Sequence, residues 1–204
     1  MSDNLNTYNV SRETIDKLKK YEALVKEWNN KFNLISKSTV DKVWERHILD
    51  SIQLCPFFYN KEGVLVDFGS GAGFPGIVLA VVGKEMFPNL KITLVESISK
   101  KANFLTFVKN ELDLNVDIIN DRIENIKTTK ADFIVSRAMA SLEKLLEYSK
   151  PFCQKTTNLV FPKGEKWKEE LAEAQKKWQF KYITVESLTN KDSCILYINN
   201  VRRK

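Results

Sequence analysis

The chain has 204 residues, 43% of them hydrophobic and 11% aromatic, with only 7 Gly and 5 Pro, which excludes collagen-like, low-complexity and wholly disordered chains. Its length exceeds the roughly 150 residues of an average domain, so one full domain with an appendage is expected. The net charge of +6 arises at the C-terminal end, because residues 1–60 carry 9 Lys and Arg against 8 Asp and Glu, residues 61–150 carry 12 against 12, and residues 151–204 carry 11 against 6; this basic excess is compatible with a polyanionic partner.

Residues 1–60 read as an N-terminal helical cap. Ile15, Leu18, Tyr21, Leu24, Val25, Trp28 and Phe32 recur at helical spacing behind Ser11 and Glu13, which predicts an amphipathic helix. A second helix is predicted over 40–54, with Val43, Trp44, Ile48, Leu49 and Ile52 on its apolar face and Pro56 ending it. The composition shifts at Asn60-Lys61-Glu62-Gly63, which sets a core domain over 61–204. There, β-rich runs alternate with helical patterns. Strands are predicted at 64–68, 92–96, 116–119, 132–136, 158–161, 181–187 and 193–199, and helices at 76–82, 99–112, 142–149 and 166–178. The last two strands have no helix between them, so they should pair antiparallel at one side of an otherwise parallel sheet. The fold class is therefore α/β, Rossmann-like, with seven strands.

The segment Val64-Leu65-Val66-Asp67-Phe68-Gly69-Ser70-Gly71-Ala72-Gly73-Phe74-Pro75-Gly76 runs from a buried strand through a glycine-rich turn into a helix. Read as Gly71-x-Gly73-x-x-Gly76 it matches a dinucleotide fingerprint, and read as Asp67-x-Gly69-x-Gly71-x-Gly73 it matches the S-adenosylmethionine loop of class I methyltransferases. A pyrophosphate at this turn would be repelled by Asp67. The sulfonium and ammonium of S-adenosylmethionine favour a nearby carboxylate, so charge selects the second parse. Glu96 ends the next strand, where an acidic residue receives ribose hydroxyls. Asp121-Arg122-Ile123-Glu124 follows the third strand, where an adenine ring would lie against an apolar side chain and a polar group. Arg137 follows the fourth and should enter the crevice at the carboxyl ends of the strands. There it can steer phosphate or meet a guanine edge.

What is missing narrows the chemistry further. The fourth strand lacks the Asn/Asp-Pro-Pro-aromatic tetrapeptide that holds an exocyclic amine, and no Pro-Cys pair is placed to attack a pyrimidine. A ring nitrogen such as guanine N7 has a free lone pair, so its methylation needs positioning and electrostatics without a base. His47, the only histidine and on the second cap helix, is a candidate substrate contact together with Lys100 and Lys163. Cys55, Cys153 and Cys194 suit reduced thiols, and one His leaves no zinc constellation, so no metal is expected. The longest nearly apolar run, residues 74–83, is about half of what a bilayer crossing needs, and no signal-peptide pattern opens the sequence; a cytoplasmic, non-membrane protein is expected. Two other readings stay open at this point: a nicotinamide-dependent oxidoreductase built on the dinucleotide parse, and a non-catalytic RNA-binding module.

These segments closely resemble one family, the bacterial 16S ribosomal RNA guanine-N7 methyltransferases called RsmG or glucose-inhibited division protein B. The similar segments are Asn33-Leu34-Ile35-Ser36, Arg46-His47-Ile48-Leu49-Asp50-Ser51, residues 67–77, Glu96-Ser97 with Lys100-Lys101, Arg122-Ile123-Glu124, Ser136-Arg137-Ala138 and Lys163-Gly164. The resemblance implies methyl transfer from S-adenosylmethionine to N7 of a guanine in the 530 loop of small-subunit rRNA. It places Gly69, Phe74, Ile123, Glu124 and Arg137 at the cofactor, beside Asp67, Gly71, Gly73 and Glu96 as argued from the residues, with Arg137 near the reacting centre. The implied substrate is 16S rRNA or the small ribosomal subunit, and a monomer is expected. Pro162, immediately before Lys163, departs from the family pattern.

Overall fold

The computed structural model describes residues 10–59, 61–126 and 130–204; Asn60, at the predicted domain boundary, lies outside them. The strands are β1 (Gly63–Phe68), β2 (Leu90–Val95), β3 (Val116–Ile119), β4 (Phe133–Val135), β5 (Asn158–Lys163), β6 (Trp178–Glu186) and β7 (Cys194–Arg203). They form one sheet in the order β3-β2-β1-β4-β5-β7-β6. The first five strands run parallel, and β7 pairs antiparallel with both β5 and β6. The mostly parallel seven-stranded sheet is the one predicted.

Alternation along each strand divides the core into two layers. Leu65, Val135, Val160 and Ile195 face one side, where α1 (Arg12–Asn29), α2 (Gly76–Met86) and α3 (Ser99–Glu111) pack. Val66, Phe68, Ile134, Leu159 and Leu196 face the other, against α4 (Leu142–Ser149) and α5 (Trp167–Lys177). Helix α1 starts where expected, since the Ser11 hydroxyl accepts from Thr14 N at 3.2 Å. Its Leu18, Tyr21 and Val25 are fully buried in the same hydrophobic layer as Ile77 and Val78 of α2. Each of those burials contributes about 1.5–3 kcal/mol.

The second cap helix is not the α-helix predicted. Residues Lys37–Lys42 form a 3-10 turn, Trp44–Leu49 a π turn and Asp50–Ile52 a single α turn. The cause lies in the spacing of its apolar residues. Val43, Ile48 and Ile52 are fully buried while Trp44 and Leu49 are only partly so, and a gap of five from Val43 to Ile48 suits one wide turn, whereas an α turn would bring His47 beneath Val43. The π turn sends Ile48 into the core and leaves His47 and Asp50 at the crevice.

Candidate active site

Strand β1 pairs with β2 on one side and β4 on the other, so the strand order reverses there and a crevice opens beyond the carboxyl ends. Two cavities occupy it, one of about 480 Å³ beside β1 and β2 and one of about 800 Å³ beside β4 and β5. His47, Arg137, Ala138, Met139 and Ala140 wall both.

The smaller cavity is built on the glycine turn. Gly69, Gly71 and Gly73 have φ of +65°, +58° and +98°. A Cβ on Gly71 would meet nothing closer than Gly69 O at 3.8 Å, so backbone is exposed there with room for a ligand against it. Glu96 is fixed at the wall, its Oε2 accepting from Gly71 N at 2.8 Å and its Oε1 from Ile98 N at 2.7 Å. Each oxygen keeps further lone pairs for hydroxyl donors. Ile123 lines the same cavity in a 3-10 turn after β3, with Glu124 beside it, and half-exposed Ile98 adds apolar surface.

Asp67 lies behind the turn rather than on the wall. It is completely buried, its Oδ2 accepts from Gly76 N at 3.0 Å, and its Oδ1 has no partner among the described residues. Burial pushes its carboxyl up to about 7, against the pull of the Ser70 and Gly76 contacts. The wall carboxylate of Glu96, with lone pairs left for hydroxyl donors, and the open backbone at Gly71 fit a nucleoside bearing positive charge, as S-adenosylmethionine does. Glu96 and the turn from Gly69 to Gly73 would hold it, whereas Asp67, expected at the cofactor, braces the turn from behind through Gly76 N.

Helix α1 braces this turn. Tyr21 donates its hydroxyl to Ala72 O at 2.5 Å, and its ring packs on Phe74 at 5.1 Å. Tyr21→Phe is expected to lower stability by about 1 kcal/mol, the cost of leaving a buried carbonyl unmet, and to weaken adenosylhomocysteine binding in calorimetric titration. An unchanged affinity would show that the turn holds its shape without the cap.

Arg137 forms the partition between the cavities. One Nη1 donates to Arg46 O at 3.0 Å and to Asp50 Oδ2 at 3.2 Å, and Nη2 donates to His47 Nδ1 at 2.7 Å. The guanidinium also lies 5.3 Å from the Phe74 ring, on which His47 stacks at 4.9 Å. With Nδ1 accepting, His47 is neutral and carries its proton on Nε2, which donates to Thr39 Oγ1 at 2.9 Å; Thr39 in turn donates to Ser36 O at 3.0 Å. Burial first, then the charges of Arg137 and Arg46, hold the imidazole down to about 3.

That depression has a definite sign. Between about 3 and 6.5 the unfolded chain binds a proton at His47 that the folded chain does not, so stability contributed here is present above 6.5 and is lost as the pH falls. Urea unfolding at pH 5 is expected to be about 2 kcal/mol easier than at pH 7 from this group. A His47→Gln variant should flatten that dependence, and an equal slope in both proteins would refute the assignment.

The larger cavity lies beyond the end of β4, where β5 runs on past its last β4-paired residue, Val160. Pro162 therefore faces the cavity without breaking a β4–β5 hydrogen bond, although it remains in register with Ile195 of β7. Lys163 is buried in the wall, with Nζ 2.6 Å from Glu170 and donating to Ala140 O at 3.0 Å. Its charge is neutralised, and Glu170 also accepts from Leu142 N at 2.7 Å, so the pair ties β5, α4 and α5 together. Lys100 lines neither cavity; it is exposed, with Nζ 5.8 Å from the Phe32 ring.

Sequence reasoning missed Tyr21, Thr39, Asp50 and Met139 as site residues. Tyr21 satisfies an apolar helical pattern and so reads as core, Asp50 lies in a segment similar to the family but with no role assigned to it, and Thr39 and Met139 carry no pattern, being joined to the site only by the fold. Asp50 could have been found beside His47 once a turn between them was suspected.

The family model described as "GidB: rRNA small subunit methyltransferase G" matches residues 14–196. Curated proteins named ribosomal RNA small subunit methyltransferase G are similar over nearly the whole length. That of Orientia tsutsugamushi (strain Ikeda) is 43% identical, covering 94% of this chain and 93% of its own, and that of Ruegeria pomeroyi is 40% identical, covering 100% and 99%. Among solved structures, a SAM-dependent methyltransferase from Aquifex aeolicus superposes with a TM-score of 0.59 at 19% identity over 81% of this chain and 98% of that one. The M. jannaschii TYW2 protein in complex with AdoMet does so with 0.57 at 15% over 83% and 78%. These two likenesses concern the fold, which is that of the Rossmann-like methyltransferases, and the full-length matches decide the family: this chain belongs to the small subunit rRNA methyltransferase G family.

Proposed function

We propose that this protein transfers the methyl group of S-adenosylmethionine to N7 of a guanine in the 530 loop of 16S rRNA, with the cofactor in the smaller cavity and the guanine in the larger. S-adenosylmethionine supplies a methyl group on a positively charged sulfur. The observation that carries the choice of target atom is the shared wall, which holds no free base. His47 has its only lone pair engaged by Arg137 and is held neutral to about pH 3, and Asp67 lies behind the glycine turn. An exocyclic amine would need its proton removed, whereas N7 attacks with a lone pair it already has. Arg137, with its charge balanced by Asp50, keeps its Nε–H and a second Nη2–H free of partners among the described residues. Those donors can orient an acceptor such as guanine O6. Nothing in the site favours the oxidoreductase reading, since the Gly71 N–H that a pyrophosphate would need at this turn is already donated to Glu96.

Residues 1–60 act as a cap on the cofactor turn, and the protein works as a cytoplasmic monomer; a two-chain mass in light scattering would overturn the latter. Transfer of radiolabelled methyl to small subunits lacking the modification, followed by digestion to nucleosides, should give 7-methylguanosine. Label in any other nucleoside would overturn the assignment of N7.

A further inference from the structure

The segment between β6 and β7 carries an exposed leucine that packing does not account for. Leu188 is 77% exposed, more than any other large hydrophobic side chain among the described residues. Its neighbours Ser187 and Thr189 line the larger cavity, which puts Leu188 at the rim with its side chain directed to solvent. The backbone beneath it is held firmly. Leu188 N donates to Gln53 Oε1 at 2.8 Å, and Thr189 donates its hydroxyl to Asp50 Oδ1 at 2.6 Å. Gln53 Nε2 donates to Asp50 Oδ1 at 2.8 Å, and Asp50 Oδ2 accepts from Arg137. The loop bearing the leucine is thus fastened to the residue that partitions the two cavities. Around the same cavity, exposed Arg46 and Lys166, with Lys191 in the loop itself, enter no ion pair within 4.0 Å among the described residues.

A guanine in a folded RNA is stacked, and the deep, narrow groove of an A-form helix keeps side chains from its N7 edge. It must leave the stack to enter a cavity, and the gap it leaves costs unstacking energy. An aliphatic side chain that fills such a gap offsets that cost, as apolar wedges do in proteins that kink duplexes. Resting on the rRNA reading above, we infer that Leu188 is the wedge that occupies the gap in the base stack while the target guanine sits in the larger cavity, with unpaired cations of the rim on the flanking phosphates. The hydrogen bonds through Gln53 and Asp50 set its height relative to Arg137, so it is a positioning residue for the substrate.

The test measures single-turnover methyl transfer to unmodified small-subunit rRNA, both intact and carrying an abasic nucleotide beside the target guanine. Leu188→Ala is expected to slow transfer about tenfold, equivalent to about 1.4 kcal/mol, on intact RNA. Transfer to the abasic RNA, whose target is already unstacked, should run at the wild-type rate. Adenosylhomocysteine affinity should not change, and Leu188→Met should restore most of the rate. Ile183→Ala, which alters exposed apolar surface on β6 away from the rim, should leave transfer unchanged. Equal rates for Leu188→Ala and wild type on intact RNA would overturn the wedge while leaving the enzyme's function standing. So would the same deficit on abasic RNA, or an equal loss in Ile183→Ala, which would mark the whole face as a docking surface. A wild-type protein inactive on both RNAs would sink the rRNA reading and the wedge with it.

Discussion

Gly73→Ala should cost about 2–6 kcal/mol of folding stability and at least tenfold in adenosylhomocysteine affinity. Gly73 sits at φ +98°, where an L side chain is strained, and such strain costs about 1–3 kcal/mol. Its new Cβ would also lie 2.5 Å from Ile77 Cγ1 and 2.7 Å from Tyr21 Oη. Neither neighbour can retreat freely, since Ile77 is fully buried in α2 and the Tyr21 hydroxyl is bonded to Ala72 O. Overpacking at such a site adds about 1–3 kcal/mol. The strain reaches the smaller cavity, proposed for the cofactor, because Gly73 N donates to Ser70 O at 2.7 Å, and Ser70 N in turn is held by Val95 O at 3.0 Å. Denaturant unfolding and calorimetric titration read the two effects separately. A variant that loses stability but binds adenosylhomocysteine as tightly as wild type would show that the turn does not touch the cofactor.

The second large effect is expected at Arg137. Arg137→Ala should slow methyl transfer by about 100- to 1,000-fold, the range for removing an oriented donor from a reacting centre. It should also destabilise the fold by about 3 kcal/mol, because Asp50, with its side chain 17% exposed, loses the cation that balances it. His47 Nδ1 and Arg46 O lose their donor at the same time. The double variant Arg137→Ala with Asp50→Asn separates these consequences. Removing the orphaned carboxylate should return part of the stability, measured in urea, and none of the transfer rate. If the rate returned as well, Arg137 would be acting only by balancing Asp50, and its role near the reacting atoms would fall. Full transfer by the single variant would remove that role outright.

The glycine turn, the carboxylate ending β2 and the arginine after β4 were legible because each is written in adjacent residues at a strand end. A buried parallel strand must finish in a turn, the turn needs positive φ where a ligand approaches, and the ligand then lies at the carboxyl edge, so sequence position implies spatial position. Lys100 and Lys163 illustrate the opposite case. A lysine's long side chain takes its role from whatever carboxylate or ring the fold brings to it, and here that was Glu170 for one and Phe32 for the other.

By itself, the sequence determined the order of elements, the seven-stranded sheet with its antiparallel end, the glycine turn and the family resemblance, all of which rest on short-range periodicity and contiguous motifs. Only the tertiary structure decided that a π turn rather than an α-helix carries Val43 and Ile48 to their shared face, that Tyr21 holds the glycine turn from α1, and that Arg137, His47, Asp50 and Thr189 form one network between two cavities. Those contacts join residues far apart along the chain, and no local pattern encodes them, because their energy is realised only when packing excludes water from all of them at once.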